Sequence, residues 1–156
     1  METVQNTTII PQKALKEMRW HLKNYNKLDE HIEKRRKDIR EELSDYYHYT
    51  NKNYLKSLHG IGSTLEKSII AMDEDKTINR YMKWKKLINK YVKDIDNENN
   101  YIIYGIIRYF FFDKRDIEFV KEHLNLDKYE LKEFIIQIFS DIYQRAIEEK
   151  LYKEEI

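Results

Sequence analysis

The sequence has no cysteine, and its 156 residues include only 3 glycines and 1 proline. Without cysteine, a disulfide framework, a thiolate metal site and a cysteine nucleophile are all excluded. So few glycines and prolines leave little opportunity for the tight turns of β-hairpins, and few positions that would break a helix. The composition therefore predicts an all-α protein.

Signals for export and for metal or phosphate binding are also missing. Residues 1–10 contain no basic segment followed by an apolar one, and no apolar run approaches the roughly 20 residues that span a bilayer. No pair with the His-x-x-x-His spacing of helical metal sites occurs among His21, His31, His48, His59 and His123. Gly60-Ile61-Gly62 lacks the lysine of a phosphate-binding loop. We therefore expect a cytoplasmic protein without membrane contact, metal, other cofactor or enzymatic activity.

Hydrophobic residues make up 41% of the chain and charged residues 37%, a mixture typical of amphipathic helices. After Pro11, which suits a first helical position, apolar side chains recur at steps of three and four, as in a heptad stripe. They are Leu15, Met18, Leu22, Tyr25, Ile32, Ile39, Leu43 and Tyr46. A second stripe comprises Ile70, Thr77, Tyr81, Trp84, Ile88, Tyr91 and Ile95. The two stripes predict a long antiparallel helical hairpin, coiled-coil-like, over residues 1–95.

Asp29 and Arg36 stand in the first stripe at positions where apolar residues are expected. Polar residues at such positions commonly fix the register of a coiled coil at some cost in stability. The alternative is that the helix bends or separates from its partner there. The residue pattern is compatible with either explanation.

Three breaks are predicted along the chain. The best loop candidate is His59-Gly60-Ile61-Gly62-Ser63, after which Ser63 or Thr64 can cap the second helix. An interruption of the second helix is expected at Asp73-Glu74-Asp75. The polar residues 96–100 contain strong helix-stop and cap residues, so we predict two domains, 1–95 and 96–156.

The second domain is predicted to contain three helices. A broad apolar helix over residues 102–111 ends at the charged turn Asp113-Lys114-Arg115. A short helix from Asp116 to about His123 follows, and it is expected to bury Ile117, Val120 and Leu124. After Asn125 and Leu126, Asp127 and Glu130 form a capping box that opens a long last helix. Its expected inner face comprises Leu131, Phe134, Ile135, Ile138, Phe139 and Ile142. This order of elements is that of a helix-turn-helix unit.

Residues 111–142 read FFDKRDIEFVKEHLNLDKYELKEFIIQIFSDI, and they resemble the region 4 type helix-turn-helix of sigma factors. In particular, they resemble the small phage-encoded transcriptional regulators of the ArpU, RinA and LtrC group. In that group an N-terminal helical segment with a KNY or similar run leads to a glycine-bearing loop and a connecting helix. Leu22-Lys23-Asn24-Tyr25, Gly60-Ile61-Gly62-Ser63 and residues 64–69 occupy these places here. The resemblance implies a DNA-binding transcriptional regulator of phage or prophage type.

The resemblance also implies which residues would read DNA. The outward face of the last helix would meet the major groove of duplex DNA. Carried over to this sequence, the set is Lys128, Tyr129, Lys132, Glu133, Ile136 and Gln137, with Lys114 and Arg115 from the charged turn. Glu133 and Ile136 stand where the family commonly has basic residues, and Lys121 stands where it has a small one. Asn125 replaces the usual turn glycine, and asparagine tolerates the left-handed conformation better than most residues.

The formal net charge of +1 is the sum of a basic N-terminal half and an acidic C-terminal half. Residues 1–93 hold 20 Lys and Arg against 13 Asp and Glu, and residues 94–156 hold 9 against 15. Within the basic half, a run without any acidic residue comprises Arg80, Lys83, Lys85, Lys86, Lys90 and Lys93. Arg80, Lys83, Lys86 and Lys90 are candidates for a secondary basic face that contacts phosphates. The alternative is an ordinary solvated face opposite the Trp84 stripe.

Two functions are compatible with these features. The first is a homodimeric regulator that reads duplex DNA with the helix starting near Lys128. The second is a degenerate helix-turn-helix protein whose acidic C-terminal half binds RNA polymerase or another regulator without reading bases. The negative charge of that half and Glu133 favour the second function.

Overall fold

The computed structural model describes residues 9–50 and 59–153, and every regular element in these ranges is helical. The seven α-helices are α1 (Gln12–Lys23), α2 (Leu28–Thr50), α3 (His59–Glu74), α4 (Lys76–Asn97), α5 (Tyr101–Ile106), α6 (Ile117–Leu124) and α7 (Lys128–Glu148). A short 3-10 helix, Tyr25–Lys27, separates α1 from α2, and a π-helical segment, Ile107–Phe112, continues α5. The predicted all-α class is confirmed.

The described residues form two compact units. The smaller unit contains residues 27–50 and 59–83, and the larger unit contains residues 9–26 and 84–153. This division differs from the predicted boundary at residue 95, because α1 and most of α4 belong with the C-terminal helices. Periodicity reveals that a helix has an apolar face, but it does not reveal which helices cover that face.

The smaller unit is built by α2 packed against α3, with the start of α4. Its buried core consists of Ile32, Ile39 and Ile78, and Leu43, Ala71, Met72 and Tyr81 pack around them. Asp29 is exposed and Arg36 is half-buried, and Arg36 forms an ion pair with Glu33 one turn earlier. Helix α2 continues through both residues. The predicted single helix is instead interrupted upstream, at residues 24–27.

The loop predicted at His59-Gly60-Ile61-Gly62-Ser63 is wrong, because helix α3 begins at His59. The N-caps predicted at Ser63 and Thr64 therefore lie inside a helix. Each glycine lowers helix stability by only about 1 kcal/mol relative to alanine, which is a weak preference that the rest of a helix can override. The segment between α2 and α3, residues 51–58, lies outside the described residues.

The interruption predicted at residues 73–75 is confirmed as the junction between α3 and α4. Asp75 lies between the two helices, and its carboxylate accepts the backbone N–H of Ile78 at 2.9 Å. The same carboxylate pairs with Arg35 of α2, with 3.0 Å between Oδ1 and Nη2. The hydrogen bond from Arg35 lowers the pKa of Asp75, and the backbone N–H of Ile78 lowers it further. One side chain thus caps α4 and ties it to α2.

Asp75→Asn is expected to destabilise the smaller unit by about 1–2 kcal/mol, since the ion pair is lost and the cap is weakened. The pKa of Asp75 is lower in the folded than in the unfolded protein. Its contribution is therefore present above the unfolded pKa of about 4 and is lost as the pH falls through the folded pKa. Amide hydrogen exchange in α2, measured at several pH values, gives both the loss of stability and its dependence on pH. Asp73→Asn is the matched control, because Asp73 is exposed. An equal loss of stability in the two variants would contradict the prediction.

The larger unit has one core, to which α1, α4, α5, the π-helical segment, α6 and α7 all contribute. Its largest fully buried side chains include Trp84, Tyr91, Phe111 and Met18. In the π-helical segment, the backbone N–H of Asp113 donates to the carbonyl oxygen of Arg108 at 2.8 Å, which is a bond over five residues. Helix α5 also packs closely on α6, since a Cβ on Gly105 would lie 2.7 Å from a methyl carbon of Leu124.

Candidate nucleic-acid interface

Helices α6 and α7 are joined by a three-residue connection whose geometry follows from its residues. Asp116 caps α6, because its carboxylate accepts the backbone N–H of Phe119 at 2.8 Å. Asn125 ends α6 in the left-handed conformation, with φ 53° and ψ 52°, as its identity predicts. Buried Leu126 follows, and its N–H donates to the carbonyl oxygen of Lys121 at 2.9 Å. The predicted connection between the two helices is confirmed.

The capping box at the start of α7 is also confirmed. The N–H of Glu130 donates to the carboxylate of Asp127 at 2.8 Å, and the N–H of Asp127 donates to the carboxylate of Glu130 at 3.2 Å. The hydrogen bond from the Glu130 backbone holds the pKa of Asp127 below its usual value. Helix α7 therefore has a fixed beginning at Lys128.

Asp127→Ala is expected to fray the first turn of α7, where Lys128 and Tyr129 lie, because the backbone N–H of Glu130 loses its acceptor. Amide hydrogen exchange at Glu130 and Leu131 measures this fraying directly. Asp127→Ser restores the cap and should restore protection. Asp113→Ala, in the preceding exposed turn, is the control. Protection at Glu130 that survives in Asp127→Ala would show that the capping box does not hold this turn.

The inner face of α7 matches its prediction. Leu131, Ile138, Phe139 and Ile142 are buried, and Phe134 and Ile135 are half-buried against the same core. The short helix α6 matches only in part. Val120 is buried and Leu124 is half-buried, but Ile117 is 49% exposed, so its predicted burial is wrong. Ile117 is the first residue of α6, and a terminal residue need not face the core.

The outward face of α7 is accessible over its first three turns. The six residues predicted there are all exposed: Lys128, Tyr129, Lys132, Glu133, Ile136 and Gln137. The two apolar members are prominent, because Tyr129 is 78% exposed and Ile136 is 47% exposed. Among the described residues, no carboxylate pairs with Lys128 or Lys132. The structure thus brings this predicted set together on one free helix face.

Lys114 and Arg115 lie in the exposed turn before α6. Lys114 is left-handed, with φ 54°, and the N–H of Arg115 donates to the carbonyl oxygen of Tyr109 at 2.8 Å. The Arg115 guanidinium lies over the ring of Phe119, 4.2 Å from its centroid, and Phe119 stacks on His123 at 5.2 Å. A guanidinium held by a ring face keeps its N–H edges available for an anion. Lys121, in the place of the family's small residue, pairs with Glu118 at 3.5 Å.

The predicted secondary basic face lies on α4. Lys83, Lys86 and Lys90 are exposed, and Lys93 is exposed one turn further on. Arg80 is half-buried and interacts with another group of the protein. Arg80 and Lys83 belong to the smaller unit, whereas Lys86 and Lys90 belong to the larger one.

The sequence does not indicate which side chains join α4 to α7. The Tyr91 hydroxyl donates to the Asp141 carboxylate at 2.9 Å, and Arg145 pairs with Asp94 at 2.9 Å. Arg145 also lies over the Tyr91 ring, 5.0 Å from its centroid. Burial of Tyr91, with the nearby charge of Asp141, raises its pKa well above the usual range. These partners are about 50 residues apart in the chain, and no local pattern pairs them.

Within residues 9–50 and 59–153, no helix combines the length and apolarity needed to cross a membrane. The same ranges contain no group of three His, Asp or Glu side chains placed to hold a metal ion.

Comparison of the chain with protein-family models, with curated proteins and with solved structures finds no match in any of the three.

Proposed function

We propose that this protein is a DNA-binding transcriptional regulator of phage type that reads duplex DNA with the outward face of α7. The observation that carries the proposal is the free face of Lys128 to Gln137, which begins directly after the three-residue connection between α6 and the capped start of α7. A major groove admits one α-helix, whose exposed side chains can then reach base edges. The likeness of residues 111–142 to sigma-factor region 4 and to the ArpU, RinA and LtrC regulators supports the same reading.

The residues of this face would have different roles. Lys132 and Gln137 carry groups that hydrogen-bond to base edges, and Lys128 at the helix start is placed for a phosphate. Ile136 offers an apolar contact of the kind that recognises a thymine methyl group. Lys114 and Arg115 would contact the backbone beside the groove. We further propose that the protein acts as a homodimer, so that two copies of α7 would read two half-sites one helical turn apart.

Binding to DNA from upstream of the protein's own operon tests the proposal. Fluorescence anisotropy is measured with this duplex and with a random duplex of equal length, over a salt series. We expect the upstream duplex to bind at least 10³-fold more tightly at physiological salt, as specific sites do. Equal affinity for the two duplexes would exclude specific readout. Sedimentation of the complex at a saturating ratio gives the number of chains per duplex.

A second candidate function is supported by the exposed apolar side chains of the same face. Tyr129 and Ile136 are seven residues apart, and Glu133 lies between them. A face of this kind can also dock on a protein such as RNA polymerase or another regulator. Tyr129→Ala with Ile136→Ala should abolish regulation under this alternative while leaving DNA affinity unchanged. Loss of DNA affinity together with regulation would favour base reading.

A further inference from the structure

Three lysines form one exposed face of α4 within the larger unit. Lys86, Lys90 and Lys93 are all exposed and follow each other at steps of four and three, so they share one side of the helix. In the part of the chain that the structure describes, none of them pairs with a carboxylate. No acidic residue occurs in residues 76–93, and the first one after it, Asp94, is paired with Arg145. We name these three residues the α4 lysine face.

Tyr25 links this face to the turn before α6. Asn89 is exposed between Lys86 and Lys90, and its side-chain oxygen accepts the Tyr25 hydroxyl at 3.1 Å. The Tyr25 ring stacks on Phe112, with 4.6 Å between centroids and 11° between planes. The Asn26 side chain donates to the carbonyl oxygen of Phe112 at 3.4 Å.

Phe112 lies two residues before Lys114 and three before Arg115. Tyr25 therefore contacts both the helix that carries the α4 lysine face and the segment that leads into the turn with Lys114 and Arg115. We propose that the α4 lysine face, together with Lys114 and Arg115, forms a single track for the phosphodiester backbone of duplex DNA. This track supplies affinity without reading sequence, since ammonium groups on flexible stems contact phosphates regardless of the bases.

The exposed residues favour a duplex over a single strand as the occupant. Proteins that bind single strands combine basic grooves with aromatic side chains on which bases stack. Between residues 86 and 93, the exposed residues of α4 are Lys86, Asn89, Lys90 and Lys93, and the aromatic Tyr91 is buried. The face therefore offers charge without a stacking platform. The inference takes duplex DNA from the proposed function, but it does not require α7 to read bases.

The test measures binding of a random 30-base-pair duplex at several salt concentrations. The variant carries Lys86→Gln, Lys90→Gln and Lys93→Gln. Its matched control carries Lys13→Gln, Lys16→Gln and Lys153→Gln, which removes the same charge from other exposed positions of the larger unit. Each phosphate contact adds about 0.9 to the slope of log affinity against log salt. We therefore expect the slope of the variant to fall by about 2–3, with little change in the control. Circular dichroism checks that both variants remain helical.

The outcomes separate this inference from the proposed function. A reduced slope without any preference for the upstream duplex supports the lysine track and contradicts base reading by α7. Equal slopes in the variant and the control overturn the lysine track, even if sequence preference is intact. Tighter binding to a single strand of the same length, or no duplex binding by the unaltered protein, also overturns it. Tyr25→Ala gives a second readout: it should lower affinity for random duplex by disconnecting the two halves of the track.

Discussion

Leu22→Ala is expected to lower the free energy of unfolding of the larger unit by about 2–5 kcal/mol, the range for a fully buried leucine. Leu22 of α1 is completely buried in the core that also contains Trp84, Phe111 and Ile138. In the same helix, His21 stacks on Trp84 at 5.0 Å, and Glu17 accepts the hydroxyl of Tyr152. The N-terminal helix is therefore part of the scaffold that positions α7.

The measurement is amide hydrogen exchange in α7, which reports the stability of the helix that would meet DNA. Leu43→Ala is the control, because Leu43 packs against the core of the smaller unit. We expect Leu22→Ala to accelerate exchange in α7 and Leu43→Ala to leave it much less changed. If residues 96–156 fold as an independent domain, Leu22→Ala will not affect α7, and the packing described for α1 will be contradicted.

Features encoded by neighbouring residues could be predicted from the sequence. The Asp127 capping box, the left-handed Asn125 and the junction at Asp75 are all present. Each depends on groups within about four residues, so the choice of residue nearly determines the local geometry. The outward face of α7 follows from the same periodicity, because its apolar inner face leaves Lys128, Tyr129 and their neighbours exposed.

Features that depend on distant partners could not be predicted in this way. The periodicity shows the apolar face of α1, but it does not show that this face also packs against the π-helical segment and α7, which lie far along the chain. The contact of Tyr25 with Asn89 and Phe112 likewise joins three separate segments. The glycines near His59 show the opposite error. The preference of the two glycines for a loop is local and weak, and helix α3 tolerates both of them.

Reversing the charge of two lysines on α7 is expected to have the largest effect on function. Lys128→Glu with Lys132→Glu should weaken binding to the upstream duplex by about 100-fold or more, since each contact to a base or phosphate is worth about 1–3 kcal/mol. The new carboxylates would add to Glu133 on the same exposed face and repel phosphates. Both positions are exposed, and Asp127 still caps the helix, so the fold should be unaffected. Anisotropy titrations over a salt series measure the loss.

The control for this variant is Lys13→Glu with Lys16→Glu, which makes the same change in net charge on the exposed side of α1. If only total charge matters, the two double variants will lose affinity equally. If α7 reads bases, Lys128→Glu with Lys132→Glu will also lose the preference for the upstream duplex over a random one, whereas the control will keep it. Retained regulation in the α7 variant would contradict base reading and favour docking on a protein partner through Tyr129 and Ile136.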